Sequence, residues 1–167
     1  MKNKLLASAF LLIALSATVQ SQELTKEQQK AQKREEKLKK VEFPIRGVTD
    51  PVMEKKMIEV VKRSPAYLEL EGKDVKEIKI LHMTNYNWWV KKNQYGEIQN
   101  LNMRVYVGYT KTNGRCYMRS VLITRQYLGG GNYMEDYGIR SDEIGYSDYR
   151  EMSCSVLDSL VAEDIQK

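Results

Sequence analysis

The stretch from Ile98 to Tyr127 constrains the fold of this 167-residue chain more than any other. From Leu101 to Tyr109 apolar residues occupy every second position, with Asn, Arg, Tyr and Gly between them, which is typical of a strand with one buried face. The sequence Thr-Asn-Gly-Arg at 112–115 follows, and Asn-Gly is a pair that two-residue hairpin loops prefer. A second run rich in β-branched and aromatic residues extends from Cys116 to Tyr127. The stretch therefore predicts a β-hairpin.

A two-residue loop of Asn113 and Gly114 would pair residues whose numbers sum to 227, and this register would fix both faces of the hairpin. The predicted core face carries Leu101, Met103, Val105, Val107, Tyr109, Met118, Ser120, Leu122 and Thr124. The other face carries Arg104, Tyr106, Tyr117, Arg119, Val121, Ile123, Arg125 and Tyr127. A loop of a different length would exchange the two faces of the second strand.

The first 21 residues have the order of a secretory signal peptide. Lys2 and Lys4 precede an apolar run from Leu5 to Leu15, and small residues occupy the −3 and −1 positions before a cut after Ser21. The run is too short to span a bilayer, and no cysteine follows it to accept a lipid. We therefore expect an exported chain, periplasmic or extracellular, with no transmembrane segment in its mature part. The alternative is a buried N-terminal helix.

Removal of this signal peptide (1–21) leaves 167 − 21 = 146 residues, the size of one ordinary domain. We divide them into a charged helical arm and linker at 22–48 and a single α+β domain at 49–167. The formal net charge is +5 for the whole chain and +3 without Lys2 and Lys4. This charge is too small to indicate a nucleic-acid partner.

The chain has two cysteines, Cys116 and Cys154. An even number of cysteines in an exported chain favours a disulfide, here one that closes a loop of 154 − 116 = 38 residues. Two buried free thiols are the alternative interpretation. Two cysteines and a single histidine do not supply four ligands at a familiar spacing, so no metal site is expected.

Two helices are predicted before the hairpin. Thr25 and Gln28 have the spacing of a capping box at the start of a strongly charged helix within 23–41. Asp50 and Pro51 then begin a core helix that must end by Ser64, because a proline follows. Its apolar residues Met53, Met57, Val60 and Val61 recur on one face.

Further elements flank the hairpin. A short edge segment is predicted at 66–70, and a long or bulged strand runs from Val75 to Lys92 with a break near Thr84. A four-residue turn at 93–96 leads into the hairpin. Tyr133 to Arg140 is a predicted fourth strand, and the apolar residues between Val156 and Ile165 indicate a short C-terminal helix.

This order of elements predicts an α+β fold. N-terminal helices and a core helix pack on an antiparallel meander sheet of four strands or more, and a short helix ends the chain. The order resembles the cystatin-like and NTF2-like plan, in which a sheet curls around one helix. The resemblance covers roughly residues 50–140 and includes no family motif, such as the Gln-Val-x-Val-Ala-Gly loop of cystatins. It implies a shape and carries over no functional residue.

No residue pattern typical of catalysis is present. His82 is the only histidine, which leaves little room for a histidine-based triad. Adjacent carboxylates such as Glu135 and Asp136 point to different sides of an element, and no serine lies in a GxSxG sequence. The glycines at 129–131 are not followed by the Lys-Ser or Lys-Thr of a phosphate-binding loop. We therefore expect a protein that is not an enzyme and that needs no cofactor.

Aromatic residues provide the main functional signal. The chain has eleven Tyr, two adjacent Trp and only two Phe. Trp88 and Trp89 are adjacent, so on a strand they point to opposite faces. Trp, Tyr and Arg dominate the hot spots of protein interfaces. The hypothetical binding residues are Trp88, Trp89, Arg104, Tyr106, Tyr117, Arg119, Arg125 and Tyr127. The competing interpretation is that Tyr and Arg cover a solvated sheet.

Together these patterns favour an exported, noncatalytic binding protein whose partner is a protein. A periplasmic inhibitor or immunity-type protein is one concrete form of this hypothesis. The first alternative is a ligand-binding or hydrolytic domain with a cavity between the sheet and the core helix. The second is a binder of envelope saccharides that stacks Trp88 or Trp89 on sugar rings.

Overall fold

The computed structural model describes residues 25–69, 71–85, 87–140 and 149–165. This part of the chain forms three α-helices and a seven-stranded antiparallel sheet, which confirms the predicted α+β class. The helices are α1 (Lys26–Lys39), α2 (Pro51–Arg63) and α3 (Cys154–Ile165), and a 3-10 turn (Pro65–Tyr67) follows α2. The strands are β1 (Val75–Met83), β2 (Trp89–Lys92), β3 (Ile98–Lys111), β4 (Cys116–Gly129), β5 (Asn132–Tyr133), β6 (Gly138–Arg140) and β7 (Arg150–Met152). The predicted signal peptide lies outside the described residues.

The predicted hairpin forms the centre of the sheet. β3 and β4 are 14 residues each and pair along most of their length. β1 and β2 pair in succession with the outer edge of β3, while β5, β6 and β7 pair with the outer edge of β4. The prediction of four strands or more understates this sheet of seven, since the predicted strand at 133–140 is divided between β5 and β6 and β7 was not predicted.

The register of the hairpin differs by one residue from the prediction. Tyr109 is the Cα partner of Tyr117, so paired numbers sum to 109 + 117 = 226. The loop has three residues, because the N–H of Lys111 donates to the carbonyl of Arg115 at 2.9 Å. Gly114 ends this loop with a φ of 78°, the left-handed conformation that the third residue of such a loop requires.

This difference exchanges the predicted faces of β4. Tyr117, Arg119, Val121 and Ile123 lie opposite the odd-numbered residues of β3 and share their face. Met118, Ser120, Leu122 and Thr124 lie on the other face. The sequence-based assignment of the second strand was therefore wrong, and the cause was the assumed length of the loop.

Helices cover both faces of the hairpin. On the face of the odd-numbered residues α2 contributes Met57 and Val61, which are fully buried against the sheet. The other face packs against α3 and the linker through Leu157 and Phe43. Gly108 lies at this second contact, where a Cβ atom would be 2.5 Å from Leu157 Cδ1. The absence of a side chain therefore allows α3 to approach the sheet closely.

Local sequence signals predicted the starts of α1 and α2 correctly. Thr25 and Gln28 form the predicted capping box of α1, and the Asp50 side chain accepts a hydrogen bond from the N–H of Met53 at the start of α2. The predicted disulfide between Cys116 and Cys154 is present and joins the start of β4 to the start of α3. The prediction of an edge segment at 66–70 is wrong for the described residues of this range, because Pro65–Tyr67 forms a 3-10 turn.

Candidate interaction surface

The sheet has two distinct ends. At one end, called the closed end here, the Thr112–Gly114 loop joins β3 to β4. At the other, called the open end, the β2–β3 turn at 93–96 and the β4–β5 turn at 130–131 lie together, because Asn100 near the start of β3 pairs with Gln126 near the end of β4. The predicted binding residues divide between these two ends.

Four of the predicted binding residues lie toward the open end: Trp88, Trp89, Arg125 and Tyr127. Trp88 stacks on Tyr137 with ring centroids 6.1 Å apart and packs against the core under α2. Trp89 is the Cα partner of Asn102 on the other face of the sheet and keeps 38% of its surface exposed. The two tryptophans therefore take opposite faces, as their adjacency predicts.

Arg125 and Tyr127 support the irregular segment between β4 and β6. Arg125 Nε donates to the carbonyl of Met134 at 2.7 Å. The Tyr127 ring lies 5.1 Å from that of Tyr133, and the Tyr127 hydroxyl accepts a hydrogen bond from the N–H of Gly131. These contacts give the open end a defined shape without regular secondary structure.

The other four predicted residues lie away from this surface. Tyr117 is buried under α2, and Arg119 on the same face donates to the carbonyl of Leu68. Arg104 is exposed on the opposite face, where Tyr106 is half-buried against the cluster of Phe43. The structure therefore does not bring the eight residues together, and the register of β4 is the main reason.

Tyr117 belongs to an aromatic and ionic cluster near the closed end. Its ring stacks with those of Tyr109 and Tyr149 at 5.9 and 5.2 Å, and Lys111 Nζ lies 4.7 Å from its centroid. The Tyr109 hydroxyl donates to the Glu69 carboxylate, which also lies 2.9 Å from Lys111 Nζ. Burial, followed by the bond to Glu69, raises the pKa of Tyr109 well above its ordinary value. The polar groups of Tyr109, Glu69 and Lys111 therefore have their hydrogen-bond and ionic partners within this cluster.

Sequence reasoning missed an apolar feature of the open end. Seven large hydrophobic side chains are exposed in the described part of the chain, and five of them lie on the turns and strands of this end. These five are Trp89, Val90, Tyr95, Leu128 and Met134. We call them the open-end cluster. Val90 and Leu128 are 43% and 63% exposed. Trp89 was predicted from its residue type, but the alternating pattern gave no signal for the other four, because it does not reveal where the covering helices end.

His82 occupies a partly buried polar cluster between β1, the linker and the last turn of α3. Its Nδ1 lies 2.9 Å from the carbonyl of Pro44, and its Nε2 lies 3.2 Å from Asp164 Oδ2. Arg46 Nη2 contacts the same carboxylate at 2.7 Å and Glu54 Oε2 at 3.3 Å. Burial raises the pKa of Glu54 even though Arg46 opposes this effect. Both ring nitrogens of His82 thus have partners within the protein.

A cleft of about 310 Å³ lies beside the open end, and both polar and apolar side chains line it. It is lined by Asn100, Thr124, Gln126, Met134, Asp136, Tyr137 and Gly138. Thr124 belongs to a row of Cα partners that crosses four strands, with Trp89 and Asn102 on one side and Gly138 on the other. The Asn102 amide is fully buried, and neither of its polar atoms has a hydrogen-bond partner among the residues that the structure describes.

Comparison of the chain with protein-family models, curated proteins and solved structures found no match. The likeness to the cystatin-like and NTF2-like plan therefore rests on the order of elements alone. None of the described helices is long and apolar enough to cross a membrane. Within the described ranges, no group of three or more His, Cys, Asp or Glu side chains has the arrangement of a metal site.

Proposed function

We propose that this protein is an exported, noncatalytic binding protein that recognises a protein partner through the open-end cluster. The observation that carries the proposal is that, of the seven large hydrophobic side chains exposed in the described part of the chain, five lie at one end of the sheet. Trp89 and Val90 are neighbours on β2 and point to opposite faces, so the cluster lies on both faces of this end of the sheet. Exposed apolar residues that are concentrated in one region are typical of interaction sites, whereas exposed apolar residues that lie singly need no explanation. The disulfide adds support for export, because such bonds persist in oxidising compartments.

The composition of this surface fits a protein partner. Trp89 and Tyr95 are large, partly apolar groups, and Arg125 lies on the same end of β4. Trp, Tyr and Arg are enriched at interface hot spots, while Val90 and Leu128 supply further exposed apolar area at the same end of the sheet. An inhibitor or immunity-type protein that acts on an exported hydrolase or toxin is the specific form that we favour.

Two observations weigh against the alternative of a cavity between the sheet and the core helix. Met57, Val61 and Leu68 fill the space between α2 and the sheet, and none has exposed surface. His82, the residue most suited to acid or base catalysis, is buried with both ring nitrogens in contact with protein acceptors. A substrate would have to displace these contacts first.

The test is affinity capture of partners from envelope and secreted fractions of the source, followed by measurement of the affinity for the captured protein. The informative variant is Val90→Asp/Leu128→Asp, which places two charges in the open-end cluster. The matched control is Ile45→Asp/Val52→Asp, because these residues are 87% and 69% exposed but lie in the linker and the first turn of α2. Circular dichroism establishes that both variants remain folded.

We expect the open-end variant to lose at least about tenfold in affinity, because charges replace apolar groups in the desolvated part of the interface. The control variant should bind as the unaltered protein does. A captured protein that binds both variants equally well, or a failure of the unaltered protein to capture any partner, would contradict the proposal.

The cleft beside the open end favours saccharide binding as a second candidate function. Thr124 and Gln126 provide polar groups in the cleft, and Trp89 lies in the same row on the same face of the sheet. The unsatisfied Asn102 amide is adjacent to Thr124. Isothermal titration with envelope oligosaccharides tests this candidate. Heat of binding that Trp89→Ala abolishes would support it, and no heat with any oligosaccharide would contradict it.

A further inference from the structure

Four lysines of α1 form a stripe along one face of the helix. Lys26, Lys30, Lys33 and Lys37 follow one another at spacings of four, three and four residues, which place side chains on the same face of an α-helix. All four are exposed. With a rise of about 1.5 Å per residue, the stripe extends over roughly 16 Å. We call these residues the lysine stripe.

Two glutamates of α1 flank the stripe without pairing with it in the described part of the chain. Glu27 lies three residues before Lys30 and Glu36 lies three residues after Lys33, which are neighbouring positions on a helix. Glu35 faces the opposite side and accepts a hydrogen bond from the Ser153 hydroxyl. Within the described ranges, no carboxylate lies within 4.0 Å of a lysine-stripe ammonium group.

A different face of α1 holds the helix on the domain. Arg34 Nη2 lies 2.6 Å from Glu151 Oε1, next to β4, and the Leu38 carbonyl accepts a hydrogen bond from the N–H of Ser153. No residue of α1 is buried. The lysine stripe is therefore a fixed, exposed row of positive charge with no apolar side chain among its four residues.

We propose that the lysine stripe binds the surface of an anionic phospholipid bilayer, with α1 parallel to the membrane plane. A straight row of ammonium groups matches a flat array of headgroup phosphates. A groove for single-stranded nucleic acid would add aromatic side chains for base stacking, and α1 has none. The absence of apolar residues in the stripe makes the contact electrostatic, without insertion of the helix.

The test is co-sedimentation with lipid vesicles, using the chain that begins at Gln22. Every described element and contact lies between residues 25 and 165, so this chain retains them all. It also removes the apolar segment at 5–15, which would itself bind lipid. The vesicles contain either phosphatidylcholine alone or phosphatidylcholine mixed with phosphatidylglycerol, and each is used at low and high salt.

Two variants that each lose four positive charges distinguish binding by the lysine stripe from a general effect of net charge. The first is Lys26→Gln/Lys30→Gln/Lys33→Gln/Lys37→Gln, which retains good helix formers throughout. The second replaces four other exposed lysines, at the C-terminal end of α1 and on α2, as Lys39→Gln/Lys40→Gln/Lys55→Gln/Lys56→Gln. Circular dichroism verifies that the helical content is unchanged in both.

We expect binding to the anionic vesicles alone, and we expect high salt to abolish it because exposed charges are screened over about 10 Å or less. Each lysine near an anionic surface contributes about a fivefold gain, so the variant that lacks four of them should lose roughly 600-fold in affinity. The control variant should lose far less. Equal losses in the two variants, or no preference for anionic vesicles, would overturn the proposal. Binding to soluble double-stranded DNA without binding to vesicles would overturn it too.

Discussion

Asp164 Oδ2 lies 2.7 Å from Arg46 Nη2, and this contact joins the last turn of α3 to the linker that precedes α2. The same oxygen lies 3.2 Å from His82 Nε2 on β1. A single carboxylate thus connects three segments that are distant in the sequence. Arg46 keeps one other acidic contact, Glu54, at the longer distance of 3.3 Å.

We predict that Asp164→Asn lowers the free energy of unfolding by about 1–3 kcal/mol, because it removes a charge-assisted hydrogen bond and leaves Arg46 partly buried with weaker compensation. Urea denaturation followed by circular dichroism measures the change. Asp158→Asn on the same helix is the matched control, since Asp158 is exposed and lies 3.6 Å from Lys79. Its effect should stay below about 0.5 kcal/mol. Equal losses in the two variants would contradict the role assigned to Asp164.

Glu54 gives a prediction for the dependence of stability on pH. Burial raises the pKa of its carboxyl group in the folded protein. A raised carboxyl pKa means that the folded state binds the proton more tightly than the unfolded state does. The resulting contribution to stability is complete below the unfolded-state pKa and is lost as the pH rises through the folded-state pKa.

Glu54→Gln retains the size of the side chain but removes this titration. We therefore expect the free energy of unfolding of the variant, relative to that of the unaltered protein, to increase between about pH 4 and pH 7. Urea denaturation at several pH values measures the difference. Glu59→Gln is the matched control, because it also removes one carboxylate but at an exposed position on the same helix. If the free energy of unfolding of Glu54→Gln relative to the unaltered protein fell as the pH rises, a raised pKa of Glu54 would be refuted.

The hairpin illustrates how far the sequence determines this fold. Asn113 and Gly114 marked the turn correctly, but the sequence did not distinguish a two-residue from a three-residue loop. β4 is apolar on both faces, with Val121 and Ile123 on one and Met118 and Leu122 on the other. Alternation therefore could not choose the register. The register depends on the contacts that β4 makes with the helices on both faces, and these contacts join residues that are distant in the sequence.

Signals that are local in the sequence were more reliable. Pro51, with Met57 and Val61 at helical spacing, placed α2, and the pairing of Cys116 with Cys154 followed from their number. The candidate surface was only partly predictable. Trp89 was identified from its residue type, whereas the exposure of Leu128 depends on where the covering elements end, which no local pattern encodes.

The close approach of α3 to the sheet gives a third prediction. A Cβ atom at Gly108 would lie 2.5 Å from Leu157 Cδ1 and 2.7 Å from Ile80 Cγ2. We expect Gly108→Ala to lower the free energy of unfolding by about 1–3 kcal/mol through overpacking. In the background of Leu157→Ala the same substitution should cost less, because the nearest contact is removed. Urea denaturation of the four proteins measures this coupling. Strictly additive losses would show that the contact does not limit the approach of α3.

The disulfide gives the last prediction. Cys116 begins β4 and Cys154 begins α3, so the bridge closes a loop with a sequence separation of 38 residues that contains most of β4 and all of β5, β6 and β7. Restriction of a loop of this length in the unfolded chain is worth about 3–4 kcal/mol.

We therefore expect Cys116→Ala/Cys154→Ala to lower the free energy of unfolding by about 3–4 kcal/mol, since the unfolded chain gains freedom when the bridge is absent. Urea denaturation with and without a reducing agent measures the loss. The unaltered protein should become less stable in the reducing agent, and the double variant should not respond to it. A loss below about 1 kcal/mol would contradict this argument and would mean that residual structure already restricts this loop in the unfolded chain without the bridge.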